Sequence, residues 1–146
     1  MCSSDLPRYE TLQPLYNLYA RAEFEAKLQP LCVERGLGVI PYFSLASGFL
    51  TGKYRSEADF AKSARGAGMK KYMNPRGMKI LDALDDVARR CHATPAQVSL
   101  AWLMARPGVT APIASATSVD QLQELLRAVT LTLDTEAMQA LDEASA

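Results

Sequence analysis

Short apolar runs alternate with helix-forming stretches along this chain, and that alternation limits its fold more than any other feature. The apolar runs are residues 12–18, 37–42 and 109–114. The second of them, Leu37-Gly38-Val39-Ile40-Pro41-Tyr42, is nearly continuous, as expected of a parallel strand covered on both faces. Between and after them lie segments with helical periodicity. In residues 23–35, Phe24, Leu28, Leu31 and Cys32 recur at helical spacing, Pro30 opens a fresh turn, and Gly36 is a natural stop. Residues 78–91 place Leu81, Leu84, Val87, Ala88 and Cys91 on one stripe. Thr94-Pro95-Ala96-Gln97 combines a capping Thr, a Pro at the first helical position and a Gln three residues on, so a helix is expected from there to Ala105. Ser118-Val119-Asp120-Gln121 opens another in the same way, to Ala128, and a last helix is expected over residues 135–144.

Repeated strand–helix units predict an α/β fold with a parallel sheet and right-handed crossovers. Three strands alone leave two open edges and a face that needs a cover, so the pattern implies part of a larger α/β unit. Composition agrees with the class: 49% hydrophobic and 22% charged residues are ordinary for a globular α/β chain. Sixteen Lys and Arg balance sixteen Asp and Glu, which gives no global attraction to nucleic acid or to an anionic membrane. No apolar run approaches the roughly 18 residues of a membrane span and no signal peptide opens the chain, so a cytoplasmic address is expected. Cys2, Cys32 and Cys91 are odd in number and widely spaced; with the single His92 they form no metal-ligand pattern and no disulfide framework.

Two stretches carry chemistry. In Tyr42-Phe43-Ser44-Leu45-Ala46-Ser47-Gly48-Phe49-Leu50-Thr51-Gly52-Lys53-Tyr54, an aromatic ring stands at a strand's C-terminal end, small residues after it allow close backbone approach, and Lys53 offers a charge to an anion. It opens a segment, residues 44–77, too long for an ordinary connection and therefore expected to be functional or mobile. Half of the positive charge lies between Lys53 and Lys79: Lys53, Arg55, Lys62, Arg65, Lys70, Lys71, Arg76 and Lys79, against Glu57 and Asp59. Such a block is either a solvated surface or a flap over a phosphorylated ligand. The second stretch, Ala114-Ser115-Ala116-Thr117-Ser118, precedes a helix whose free amides favour an anion. Two such sites on consecutive parallel strands match the phosphate site that (β/α)8 barrels often build after strands 7 and 8.

These residues resemble the aldo-keto reductase family. Leu12-Gln13-Pro14-Leu15-Tyr16-Asn17-Leu18 is similar to its sixth barrel strand, Gly38 to Tyr54 to its seventh strand and loop, Thr94 to Leu103 to its seventh helix, and Pro112 to Leu125 to its eighth strand and helix. The resemblance implies the C-terminal three β/α units and terminal helix of a partial (β/α)8 TIM barrel. Residues 7–146 belong to it, and residues 1–6 read as a tail unlike the family. It implies an NAD(P)H-dependent oxidoreductase that reduces aldehydes or ketones to alcohols, with NADP as the expected cofactor and NAD as the alternative. By the same resemblance, Gln13 bonds the nicotinamide carboxamide, Tyr42 stacks on the ring, and Leu45, Ser47 and Lys53 fold over the pyrophosphate. Thr117, Ser118, Gln121 and Glu124 surround the adenosine and its 2′-phosphate.

Three departures stand out: Phe43 where many members have Ser, Ser118 where many have Lys or Arg, and Leu125 where Asn is usual. Arg65, Lys71 and Arg76 are candidates for the missing cation. The family's proton-donating Tyr, with its Lys, Asp and His, lies on early barrel strands, and no Tyr here stands in the matching motif. No catalytic residue and no metal ligand is therefore assigned, the native start is expected upstream of Met1, and this chain is expected to be inactive alone. A dinucleotide-binding regulatory role, as in channel-associated beta subunits that share the fold, is the alternative reading. An unrelated small nucleotide-binding α/β domain is a third. The cofactor reading requires Tyr42 and Thr117 at the same end of their strands.

Overall fold

Backbone hydrogen bonds line up three parallel segments in the computed structural model, which describes residues 7–62 and 66–146. Strand β1 (Thr11–Leu12) pairs in parallel with β2 (Gly38–Val39), with Thr11 opposite Gly38 and Leu12 opposite Val39. Single parallel bridges join Leu15 to Tyr42 and Val39 to Val109. The strands are much shorter than the apolar runs. Pro14, Pro41 and Pro112 have no N–H to give, so the ladder is interrupted wherever one stands. It resumes across the gaps: Ile40 N donates to Leu12 O, Tyr42 N to Pro14 O, and Ile113 N to Pro41 O.

Among the described residues, every α-helix but the first begins at a side-chain cap. A π-helical turn (Phe24–Leu28) leads directly into α1 (Gln29–Arg35), which Gly36 closes in the left-handed conformation at φ 63°. The expected apolar face holds only in part. Phe24 and Cys32 are buried, whereas Leu28 and Leu31 are exposed. The π turn inserts extra backbone per turn, so a 3.6-residue period carried across it points to the wrong side. Helix α2 (Pro75–Arg90) starts three residues earlier than its apolar stripe suggests: Asn74 caps it by accepting from Gly77 N, and Pro75 takes the first position. Helix α3 (Pro95–Met104) carries the full reciprocal capping box of Thr94 and Gln97 and is buried on nearly every side, Trp102 completely. Helix α4 (Val119–Arg127) buries none of its residues, and α5 (Thr135–Ser145) begins at an Asp134 cap. His92, just past the end of α2, is exposed and left-handed.

The described residues of the long segment after β2 supply core. Three 3₁₀ stretches, Ala46–Thr51, Glu57–Lys62 and Gly66–Tyr72, bury Phe49, Leu50, Met69 and Tyr72, with Tyr54 between them. The Tyr72 ring stacks on Phe49 at 5.0 Å and receives Tyr19 edge-on at 4.8 Å. Aromatic packing replaces regular secondary structure here. Helix α2 packs chiefly on α5 and α3. Cys32 is buried and Cys91 half-buried, and both are free thiols; burial pushes the Cys32 thiol up from its ordinary pKa.

A charged clasp ties the C-terminal helix to the chain's beginning. Arg21 donates to Glu25, to Asp142 Oδ1 at 2.9 Å and to Ser145 Oγ at 2.7 Å. Arg106 reaches Asp142 at 3.0 Å and Glu25 at 3.3 Å, and Trp102 Nε1 donates to the same Asp142. Both guanidinium groups lie over the Trp102 ring, at 5.2 and 5.0 Å. Tyr16 donates to Glu25 at 2.6 Å, and burial, followed by this hydrogen bond, pushes its phenol above the ordinary tyrosine range. The folded state thus holds the phenolic proton more tightly than the unfolded chain. The stability this contributes is complete below about pH 10, the unfolded value, and is lost as pH rises through the folded one. Urea midpoints measured from about pH 9 to 11 are expected to fall more steeply for the parent chain than for Tyr16→Phe; parallel slopes would remove Tyr16 from the alkaline transition.

Candidate functional site

Parallel pairing puts the residues after β2 and those after Val109 at one end of the sheet, so Tyr42 and Thr117 both follow C-terminal strand ends. Gln13 stands beside them, exposed, between β1 and the Leu15 bridge. Tyr42 is 38% exposed and lies 5.2 Å from the Phe43 ring, itself more than half exposed.

Behind this aromatic pair the backbone turns through a run of left-handed residues: Phe43 at φ 54°, Ala46 at 48°, Ser47 at 59° and Gly48 at 97°. A non-glycine residue there costs about 1–3 kcal/mol, and such strain persists only where surrounding contacts impose it, most often at ligand-binding or catalytic sites. The contacts are present. Ala46 N donates to Phe43 O at 2.7 Å, Gly48 N to Leu45 O at 2.8 Å, Thr51 Oγ1 to Gly48 O at 2.8 Å, and Ser44 Oγ to Pro41 O. Lys53 folds back across this turn: a methyl group on Gly48 would meet its Cε at 3.6 Å and its Nζ at 3.7 Å. The ammonium also lies 5.1 Å from the Tyr54 ring. Leu45, Ser47 and Lys53, far apart in chemistry and up to eight positions apart in sequence, therefore share one turn.

The second group gathers at the start of α4. Ser118 Oγ accepts from Gln121 N, and Gln121 Oε1 accepts from both Thr117 N and Thr117 Oγ1, at 2.9 and 3.0 Å. The expected reciprocal box is displaced by one residue, since Gln121 reaches back to Thr117 and not to Ser118. Glu124 stands apart from these three. Its carboxylate accepts from Thr94 Oγ1 at 2.8 Å and its carbonyl from Gln97 Nε2 at 3.0 Å, so it fastens α4 to the start of α3.

The candidate cations fare differently. Arg76 donates to Tyr19 O at 2.8 Å and to Ser145 O at 2.6 Å, which builds it into the packing of the C-terminus and removes it as a phosphate ligand. Lys71 is exposed, with its ammonium over the Tyr72 ring. Arg65 lies outside the described residues, as do residues 1–6. Arg55 of the basic block is held by Asp85 in a two-pronged pair at 2.7 Å. Local pattern also missed Asn17, whose side chain reaches the Phe43 carbonyl. No spacing rule connects residues 26 apart across two strands.

Comparison with known proteins places this geometry. The profile of the Aldo/keto reductase family matches residues 4–146. A probable voltage-gated potassium channel subunit beta of Arabidopsis thaliana is 35% identical over 124 residues, covering 80% of this chain and 37% of its own length. Protein tas of Escherichia coli is 31% identical over 140 residues, covering 94% of this chain and 40% of its own length. An uncharacterized oxidoreductase, YrpG, of Bacillus subtilis is 32% identical over 134 residues, 91% of this chain and 39% of its own. The chain thus spans between 37% and 40% of the length of these relatives. The crystal structure of a thermostable aldo-keto reductase, Tm1743, with the inhibitor epalrestat superposes with a TM-score of 0.65 at 26% identity, over 90% of this chain and 38% of that one. The parallel strand–helix units are accordingly part of that barrel fold, and with the profile running through nearly every residue, the chain belongs to the aldo/keto reductase family.

Proposed function

We propose that residues 7–146 form the dinucleotide-binding part of an NAD(P)H-dependent aldo-keto reductase barrel. The observation that carries this is the strained turn after Tyr42, with Lys53 folded back over it, at the sheet end toward which the segment leading to α4 also runs. Gln13 is exposed for a bond to the nicotinamide carboxamide, and Tyr42 presents a free aromatic surface for the ring to rest on. Leu45, Ser47 and Lys53 hold the pyrophosphate, where turned backbone and one ammonium suit two negative charges. Thr117, Ser118 and Gln121 frame the adenosine, and Glu124 holds the helix that carries Gln121 against the start of α3. NADP is the proposed cofactor, with NAD as the alternative because Ser118 brings no cation to a 2′-phosphate. When bound, the dinucleotide supplies the hydride that reduces an aldehyde or ketone to an alcohol. The proton comes from a group outside this chain. A cytoplasmic address belongs to the same proposal; no described helix is long and apolar enough to cross a membrane.

The purified 146-residue chain is expected to enhance and saturate NADPH fluorescence on titration, yet to consume no NADPH when an aromatic aldehyde is added. Absence of binding would remove the cofactor role, and measurable turnover would place an acid within this chain. The similarity to a probable potassium channel subunit beta favours a second reading, dinucleotide binding for regulation. It predicts binding without turnover even in a longer form that carries the proton-donating Tyr.

A further inference from the structure

Asn17 is 1% exposed, and both polar atoms of its side chain have partners. Its Oδ1 accepts from Tyr19 N at 2.9 Å and Ala20 N at 2.8 Å, closing an Asx turn, and its own N–H donates to Ala20 O at 3.2 Å. With the oxygen occupied by two backbone donors, the amide nitrogen must face the other way. There it donates to Phe43 O at 2.9 Å, on the next strand's end.

That carbonyl belongs to the first left-handed residue of the strained turn, at φ 54°. It also accepts from Ala46 N at 2.7 Å, so two donors fix the peptide that follows Phe43. An unclamped non-glycine residue at this φ relaxes toward the extended or right-handed region, and Tyr42, one residue earlier, swings with it. The loop carrying Asn17 is itself immobilised. Tyr19 packs against Tyr72 and Phe49, Arg76 holds Tyr19 O, and Arg21 enters the clasp with Asp142.

We infer that Asn17 is a positioning residue for Tyr42, acting through the Phe43 carbonyl to hold the aromatic platform at the angle a flat ring needs. This rests on the dinucleotide reading above. Geometry of this kind is sensitive: a shift of about 1 Å in a supporting element is enough to cost a hundredfold in function.

The donor and acceptor ends of Asn17 are separable. Asn17→Asp keeps an oxygen for Tyr19 N and Ala20 N but sets an acceptor against Phe43 O. Asn17→Ser keeps a weaker turn at the same amides and is too short to reach that carbonyl. Two probes read opposite ends of the site: NADPH spans both, while adenosine 2′,5′-bisphosphate occupies only the end near α4. Both variants of the 146-residue chain are expected to bind NADPH about tenfold more weakly and with less fluorescence enhancement, and to bind the bisphosphate as the parent does. Unchanged NADPH binding in both variants would overturn the inference, as would parallel loss of both ligands, which makes Asn17 a residue of the general fold. A parent chain that binds neither probe refutes the dinucleotide reading itself, and this inference falls with it.

Discussion

Asp142→Ala is expected to lower the stability of the chain by about 2–4 kcal/mol and its Tm by on the order of 10 °C. Asp142 is the shared acceptor of the clasp. Removing it takes two hydrogen bonds from Arg106, one from Arg21 and one from Trp102 Nε1. The two guanidinium groups keep only 12% and 17% of their side-chain surface exposed, so water replaces the carboxylate poorly. Arg106 Nε is already buried without a partner. Glu25 remains as one counter-charge for both arginines, and Asp142 itself is about a third exposed, which keeps the loss below that of a fully buried triad. Asp142→Asn retains an oxygen for Trp102 Nε1 and is expected to lose about half as much. Thermal melts followed by circular dichroism decide it: a Tm for Asp142→Ala within a degree or two of the parent would reduce the clasp to decoration.

Gly77→Ala is expected to cost about 3 kcal/mol, although a glycine-to-alanine change inside a helix gains up to about 1 kcal/mol from propensity alone. Packing outweighs propensity at this position. A Cβ on Gly77 would stand 1.9 Å from the Tyr72 carbonyl oxygen and 3.1 Å from Cζ of Phe49. The first of these is backbone, and Phe49 is fully buried in the aromatic cluster, so neither retreats without moving the end of the 3₁₀ stretch. Gly68→Ala is the control: nothing lies within 4 Å of its Cβ position, and its effect is expected within about 0.5 kcal/mol. Equal melting temperatures for the two variants would show that the α2 start does not press on Tyr72.

Gly77 also marks where local reading stopped. It reads as the end of the long segment in sequence, yet it sits in the first turn of α2, which Asn74 caps. Thr94 and Gln97 form the capping box their spacing predicts, whereas Gln121 bonds back to Thr117, one residue further than the same spacing predicts. For the candidate site, the strand end at Tyr42 and the small-residue turn after it were legible as places for a ligand. The left-handed run was only half legible. Gly48 announces a positive φ, but Phe43, Ala46 and Ser47 adopt one because their surroundings demand it.

The α3 cap and the alternation of strands and helices were legible in the sequence alone, because caps, prolines and apolar periods act within a turn or two of chain; the place of those units in a barrel was implied by the family resemblance of their motifs. Tertiary structure alone decided which face of α1 is buried, that Arg76 turns to the C-terminus, that Glu124 grips Thr94, and that Arg21 meets Asp142 across 121 positions. Apolar burial fixes the α1 face, and the other three are polar groups whose long-range partners packing alone determines, by bringing a distant residue near enough to bond.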